Sequence, residues 1–363
     1  MLGYFKLLCL VKPLKREVMS PVTTRLTLSL VLLLALPLFF CLLDIAQAKS
    51  ALRVILMTEH KEDCPWSELA REGLAQAVQD FGIQAAIAVE ANPEKQERAL
   101  ALATKKADLV LLISERFHEI LRDTARSYPA TRFGVLDAAI RGANIHSIHF
   151  ADEKASFLAG AAAALYAKSR RAEPAIGWIS GEDIPALQSL FNGFREGAKL
   201  AVPEVRVIHG LVGSFTNPAR AAKEADRLIA EGVDVLALAA GAGNAGILEK
   251  AKAAGILVIG LDCDERASYP GHVLTSITKD VKGAVYRLVQ ETVLGRFQGK
   301  TVEVLDLGSG VDIVDPAKSL GGEAKRLLPL GFERRLRELR LEIQRGAIQI
   351  KSFRRRTLCN CLE

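Results

Sequence analysis

Gly241-Ala-Gly243-Asn-Ala-Gly246 follows the apolar run Val233-Asp-Val-Leu-Ala-Leu-Ala239 and precedes a helical stretch, and a second apolar run ends at Asp262. Strand, glycine turn, helix and a strand ending in an acid is the layout of a dinucleotide site. On that reading the helix start at Asn244 receives a pyrophosphate and Asp262 accepts from a ribose hydroxyl. The other reading is that a parallel βαβ unit with a glycine-rich turn holds a different ligand at the same strand ends. These residues alone leave both open.

Little else in the chain offers chemistry. No Ser-His-Asp, Cys-His or paired-glutamate arrangement declares a catalytic centre. His60 and Cys64 with Glu59, Glu62 and Asp63 have the residue types of a metal site, but they read as a solvated acidic loop. His146 and His149, three apart on an expected strand, point to opposite faces and cannot chelate together. Of six cysteines only Cys64 and Cys263 lie in the body of the chain, and none has zinc or C-x-x-C spacing. They read as small buried apolar side chains, with a disulfide between them as the alternative in an oxidising compartment. No cofactor is expected.

The elements that must position these residues alternate almost from end to end. Ten short β-rich runs, from Leu52–Met57 to Val273–Ile277, are separated mostly by helical patterns. Runs such as Leu109-Val-Leu-Leu-Ile113 are apolar throughout rather than alternating, which means burial on both faces and parallel sheets covered by helices. The runs are too many for one compact sheet, so two lobes are expected. An internal echo agrees. Ala91-Asn-Pro93 opens a helix leading to Ala107-Asp-Leu-Val-Leu-Leu112, and Thr216-Asn-Pro218 opens one leading to Val233-Asp-Val-Leu-Ala-Leu238.

Leu26 to Leu43 is almost unbroken apolar sequence after Arg25, and Ala46-Gln-Ala48 supplies small residues for cleavage, as in a secretory leader over 1–48. Met19 is an alternative start, and an uncleaved anchor is the alternative to cleavage. Leu38-Phe-Phe40 is too bulky for lipid attachment at Cys41. The formal charge of +6 is confined to the ends: the leader and the tail from Lys351 each carry three net positive charges, leaving residues 49–350 neutral. A neutral body lacks the footprint that nucleic-acid backbones demand. The tail 351–363 reads as disordered.

The series Phe133-Gly-Val-Leu-Asp137, Ser156-Phe-Leu-Ala-Gly160, Ile176-Gly-Trp-Ile-Ser-Gly181, Phe191-Asn-Gly-Phe-Arg-Glu-Gly197, Gly213-Ser-Phe-Thr-Asn-Pro218, Gly260-Leu-Asp262 and Leu274-Thr-Ser-Ile-Thr-Lys279 resembles the basic membrane protein family of ABC-transporter substrate-binding proteins, which includes purine nucleoside receptors. The resemblance runs in order and in spacing from Leu52 to Gln349. It implies a type I periplasmic binding protein, an α/β fold of two doubly wound parallel-sheet lobes with a ligand cleft between them. Lobe 1 is expected over 49–151 plus about 279–315, and lobe 2 over 152–278 plus about 316–350, with hinges near Phe150–Glu153 and Leu274–Lys279.

The resemblance also implies a site. Asp262 matches an acceptor for ribose hydroxyls, Lys279 a donor to the sugar, Phe215 and Trp66 rings against the base, and Asp137 a carboxylate at the base edge. Gly241 would let the backbone approach the ligand. The first loop, Thr58-Glu-His-Lys-Glu-Asp-Cys-Pro-Trp66, departs from the pattern: it is shorter and lacks glycine, so that Glu59 is the candidate replacement acceptor. The implied function is binding of a nucleoside-like molecule by lobe closure, without chemistry, by an exported periplasmic monomer that serves an ABC permease in the inner membrane. The competing readings are an NAD-dependent oxidoreductase built on Gly241, Gly243, Gly246 and Asp262, and a sensory receptor for a signalling partner.

Overall fold

The computed structural model describes residues 51–59, 65–113, 115–320 and 328–350. The leader with its alternative start and anchor, Cys41, His60, Cys64 and the basic tail lie outside the described residues, as does any pairing of Cys64 with Cys263.

Two six-stranded sheets form the frame. The first holds β1 (Arg53–Thr58), β2 (Gln84–Val89), β3 (Leu109–Leu112), β4 (Arg132–Leu136), β5 (Ile145–Phe150) and β11 (Thr301–Leu305), in the order β11-β5-β4-β3-β1-β2, all parallel. The second holds β6 (Ala175–Ser180), β7 (Arg206–Leu211), β8 (Val235–Ala239), β9 (Leu257–Asp262), β10 (Val273–Lys279) and β12 (Val311–Ile313), in the order β12-β10-β9-β8-β6-β7. Only the β10–β12 pair is antiparallel. Helices α1 (Pro65–Phe81), α2 (Pro93–Lys106), α3 (His118–Ser127) and α8 (Val281–Val293) cover the first sheet. Helices α4 (Asp152–Arg170), α5 (Pro185–Ala201), α6 (Pro218–Ala230), α7 (Asn244–Ala254), α9 (Pro316–Leu320) and α10 (Phe332–Gln344) belong to the second. β3, β6 and β8 are buried at every residue, as strands covered on both faces must be.

The two strand orders coincide when β6–β10 are laid on β1–β5. The Asn-Pro echo is part of that repeat. Asn92 Oδ1 accepts from Glu94 N at the start of α2, Asn217 Oδ1 accepts from Arg220 N at the start of α6, and the strands that follow, β3 and β8, hold the same place in their sheets.

Within the second lobe α4 and α5 touch backbone to backbone. A Cβ on Gly160 would lie 1.9 Å from the Phe194 carbonyl oxygen, and one on Gly197 would lie 1.9 Å from that of Phe157. The glycines of Ser156–Gly160 and Phe191–Gly197 are therefore packing residues, and the alanine run Ala161–Ala164 beside them is fully buried.

The chain passes between lobes three times. It crosses at Ala151 after β5, at Asp280 after β10, and through Asp306–Gly310 between β11 and β12. The sequence reading expects hinges near Phe150–Glu153, a range that contains Ala151, and near Leu274–Lys279, a range that lies in strand β10 and ends one residue before Asp280. It expects the third near 315, but β12 pairs with β10 in the second sheet, so that crossing comes earlier, through Asp306–Gly310. The crossings are laced together. Ala151 N donates to Leu305 O (2.9 Å), Asp280 N to Gly310 O (2.8 Å), and Lys154 Nζ lies 2.6 Å from Asp306 Oδ2.

Candidate functional site

The carboxyl ends of both sheets face one cleft, where open α/β sheets place ligands. It encloses a cavity of about 170 Å³ lined from the first lobe by Glu59, Trp66, Arg116 and Asp137 and from the second by Glu182, Phe215, Asp262 and Lys279, among others. Six of the seven sequence candidates are thus brought together.

Asp137 and Asp262 follow directly from the repeat. They stand at the ends of β4 and β9, the third strands of their sheets, and both have left-handed backbones (φ 60° and 73°). Aspartate tolerates that region better than most side chains, yet it remains a strained choice that turns the carboxylate off the strand line.

Lys279, at the end of β10, lies between them with only 4% of its side chain exposed. Its Nζ is 2.7 Å from Asp152 Oδ2, 3.4 Å from Asp262 Oδ1 and 3.8 Å from Asp137 Oδ2. Asp152 is fully buried and begins α4, where the helix dipole favours its charge. One ammonium thus serves three carboxylates. Burial pushes the Asp262 carboxyl above the usual carboxylate range; Lys279 opposes this, while Asp137 and Asp152 reinforce it.

The aromatic walls are fixed from opposite lobes. Trp66, in the first turn of α1, donates Nε1–H to Ile113 O (2.7 Å), packs edge-on against Phe150, and holds the Lys279 ammonium 5.1 Å from its ring centroid. Phe215 is seated on glycine: a Cβ on Gly181 would lie 2.4 Å from its ring, and one on Gly241 would lie 3.1 Å from its carbonyl oxygen. Gly243 N donates to that same oxygen (3.1 Å). The glycine turn therefore cradles the Phe215 loop. Gly241 itself does not line the cavity and lies beside Phe215, which does.

Three charged lining or neighbouring residues went unread in the sequence: Asp152, Arg116 and Glu182. Arg116 Nε lies 2.8 Å from Glu59 Oε2, and Nη2 donates to Glu182 Oε2 at 3.0 Å, so that one guanidinium joins the two lobes. Among the described residues no group of three or more His, Cys, Asp or Glu is placed to hold a metal, and no helix is long and apolar enough to cross a membrane.

Two doubly wound lobes meeting at such a cleft make the two-lobed α/β fold found among solute-binding proteins. A solute-binding protein of an ABC transporter system from Aeropyrum pernix K1 superimposes with a TM-score of 0.77 over 83% of this chain and 93% of its own, at 23% identity. One from Conexibacter woesei gives 0.64 over 84% and 99%, at 20% identity. Within that class the chain belongs to the Bmp family, the PnrA-like ABC transporter substrate-binding proteins, whose model matches residues 53–324. Relatives include basic membrane protein A of Borreliella burgdorferi, 26% identical over 62% of this chain and 67% of that protein. The ABC transporter nucleoside-binding protein BmpA of Lactococcus lactis is 29% identical over 52% of this chain and 58% of its own length. The protein is accordingly a substrate-binding protein of ABC-transporter type and not an enzyme. This removes the oxidoreductase reading of Gly241–Gly246: the Gly243 amide donates to the Phe215 carbonyl, the space beside Gly241 is filled by Phe215, and that beside Gly246 by the Pro218 backbone.

Proposed function

We propose that the cleft captures a nucleoside, that the lobes close over it, and that the closed form delivers it to a membrane permease from outside the cytoplasm. The observation that carries this reading is the buried Lys279 held among Asp137, Asp152 and Asp262, beside rings from both lobes. Ionised aspartates accept from a sugar diol, the ammonium donates to it, and two aromatic faces suit a flat base, at about 1–3 kcal/mol per stacked base. The name of the Lactococcus lactis relative points to the same ligand class.

The test is calorimetric titration with inosine, guanosine and adenosine, set against free bases, sugars and NAD. Nucleosides are expected to bind and NAD is not. Asp262→Ala should weaken nucleoside binding by about 1.5–3 kcal/mol, the range for a hydrogen bond to a charged group. Unchanged affinity in that variant removes the sugar contact, and binding of NAD alone overturns the reading.

A further inference from the structure

Glu59, just after β1, lines the cleft and pairs with Arg116 of its own lobe, and Arg116 in turn pairs with Glu182 across the cleft. Arg116 stands in the short turn Glu115–Phe117, anchored by the fully buried Phe117. Glu182 stands in the loop after β6, where Gly181 N donates to Ala239 O (2.8 Å) and Gly181 O accepts from Ser214 N (2.7 Å). Both ends are mounted on fixed backbone, so the lobes set the geometry of the pair.

A guanidinium can serve two carboxylates through separate edges. Here the Nε edge faces Glu59 of its own lobe and the Nη2 edge faces Glu182 of the other. The first pair exists whatever the angle between lobes. The second exists only when they are together. Unlike the Lys279 cluster, this contact lies between side chains of moderate exposure: 45% for Arg116 and 31% for Glu182.

We infer that Arg116 is a positioning residue for ligand capture: through Glu182 it holds the two lobes together across the cleft without ligand, and so sets how much of the protein is already closed when ligand arrives. The inference rests on the lobe-closure part of the proposed function and not on the identity of the ligand. An exposed pair of this kind changes the ratio of closed to open forms by about two- to fivefold, and salt weakens it.

The experiment reads lobe separation in the ligand-free full chain by double electron–electron resonance. Spin labels are carried on genetically encoded keto side chains at exposed Glu97 on α2 and Lys223 on α6, leaving the native cysteines in place. At low ionic strength the unmodified site should give mainly the short distance, and Glu182→Gln should lower the short-to-long ratio by about two- to fivefold. Raising salt should do the same to the unmodified site and nothing further to the variant. A ratio unmoved by Glu182→Gln overturns the inference, and so does a salt response that persists in the variant. Adding guanosine tests the other reading separately: failure to shorten the distance in either protein counts against the nucleoside and leaves the bridge intact.

Discussion

Replacing Lys279 by methionine removes the ammonium that faces Asp137, Asp152 and Asp262 while nearly preserving the length of the side chain. The partner that decides the outcome is Asp152, which is fully buried 2.7 Å from Nζ. Breaking a buried ion pair by deleting one partner costs about 3–5 kcal/mol, because a charge is left uncompensated. Two features bring the expectation to the low end. The start of α4 offers Asp152 about 0.3–1 kcal/mol from the helix dipole, and Asp137 and Asp262 are 16% and 18% exposed, so water screens their share. Lys279→Met should therefore destabilise the protein by about 3 kcal/mol. Urea unfolding read by fluorescence is well suited, since the only two tryptophans report different lobes: Trp66 beside Lys279, and Trp178 buried in the second core. Asp152→Asn added to Lys279→Met should recover most of the loss, because it removes the orphaned charge. A loss below about 1 kcal/mol in the single variant, or none recovered in the double, refutes the account of Lys279 as the counter-charge of a buried acid.

Acidification should act on Asp262 in two opposite senses. Its carboxyl titrates above the ordinary value of 3.8, chiefly through burial, so the folded state gains stability as pH falls through that raised value and loses it as pH rises. Nucleoside affinity should fall over the same window, because a protonated carboxyl accepts less well; calorimetry from pH 7 downward checks this, and Asp262→Asn should flatten the profile. Gly197→Ala should destabilise the second lobe by about 1–3 kcal/mol by forcing α4 and α5 apart, read as a shift in Trp178 unfolding with ligand contacts untouched. The Cys263 thiol is pushed up to about 12, first by burial and then by Glu265 and Asp262, so mass-spectrometric mapping at pH 8 should find its peptide unalkylated until the protein unfolds.

β1 to β10 were legible in the sequence as short β-rich runs; the inner strands such as β3, β6 and β8 are apolar and buried throughout, whereas the edge strands β2 and β7 are largely exposed. β11 and β12 were not. Thr301-Val-Glu-Val-Leu carries a charge and runs at a sheet edge, and Val311-Asp-Ile is three residues long, so neither shows the pattern of a covered strand. Of the acids at strand ends, Asp262 was legible from the strand that follows the glycine turn, and Asp137 only through the family resemblance. Asp152 escaped because an acid in the first turn of a helix normally faces water, and only the repeat, which aligns the end of β5 with the end of β10 and Lys279, could have singled it out. Arg116 and Glu182 escaped because lone charges in loops read as solvated. Their meaning depends on two segments 66 residues apart meeting across a cleft. The place of Gly241 beside Phe215 was not legible, because a glycine that makes room for a ligand and one that makes room for a phenylalanine leave the same trace.

In the proposed lobe closure, the three laced crossings at Ala151, Asp280 and Asp306–Gly310 are the axis, where motion is smallest. Asp152 and Lys279 flank the first two of them. A door moves least at its pins and most at its free edge. Swing about these crossings would carry Glu182 away from Arg116 while hardly disturbing the distance between Asp152 and Lys279. A ligand entering the open protein would then meet a charged floor already assembled at the axle, with only the walls left to travel.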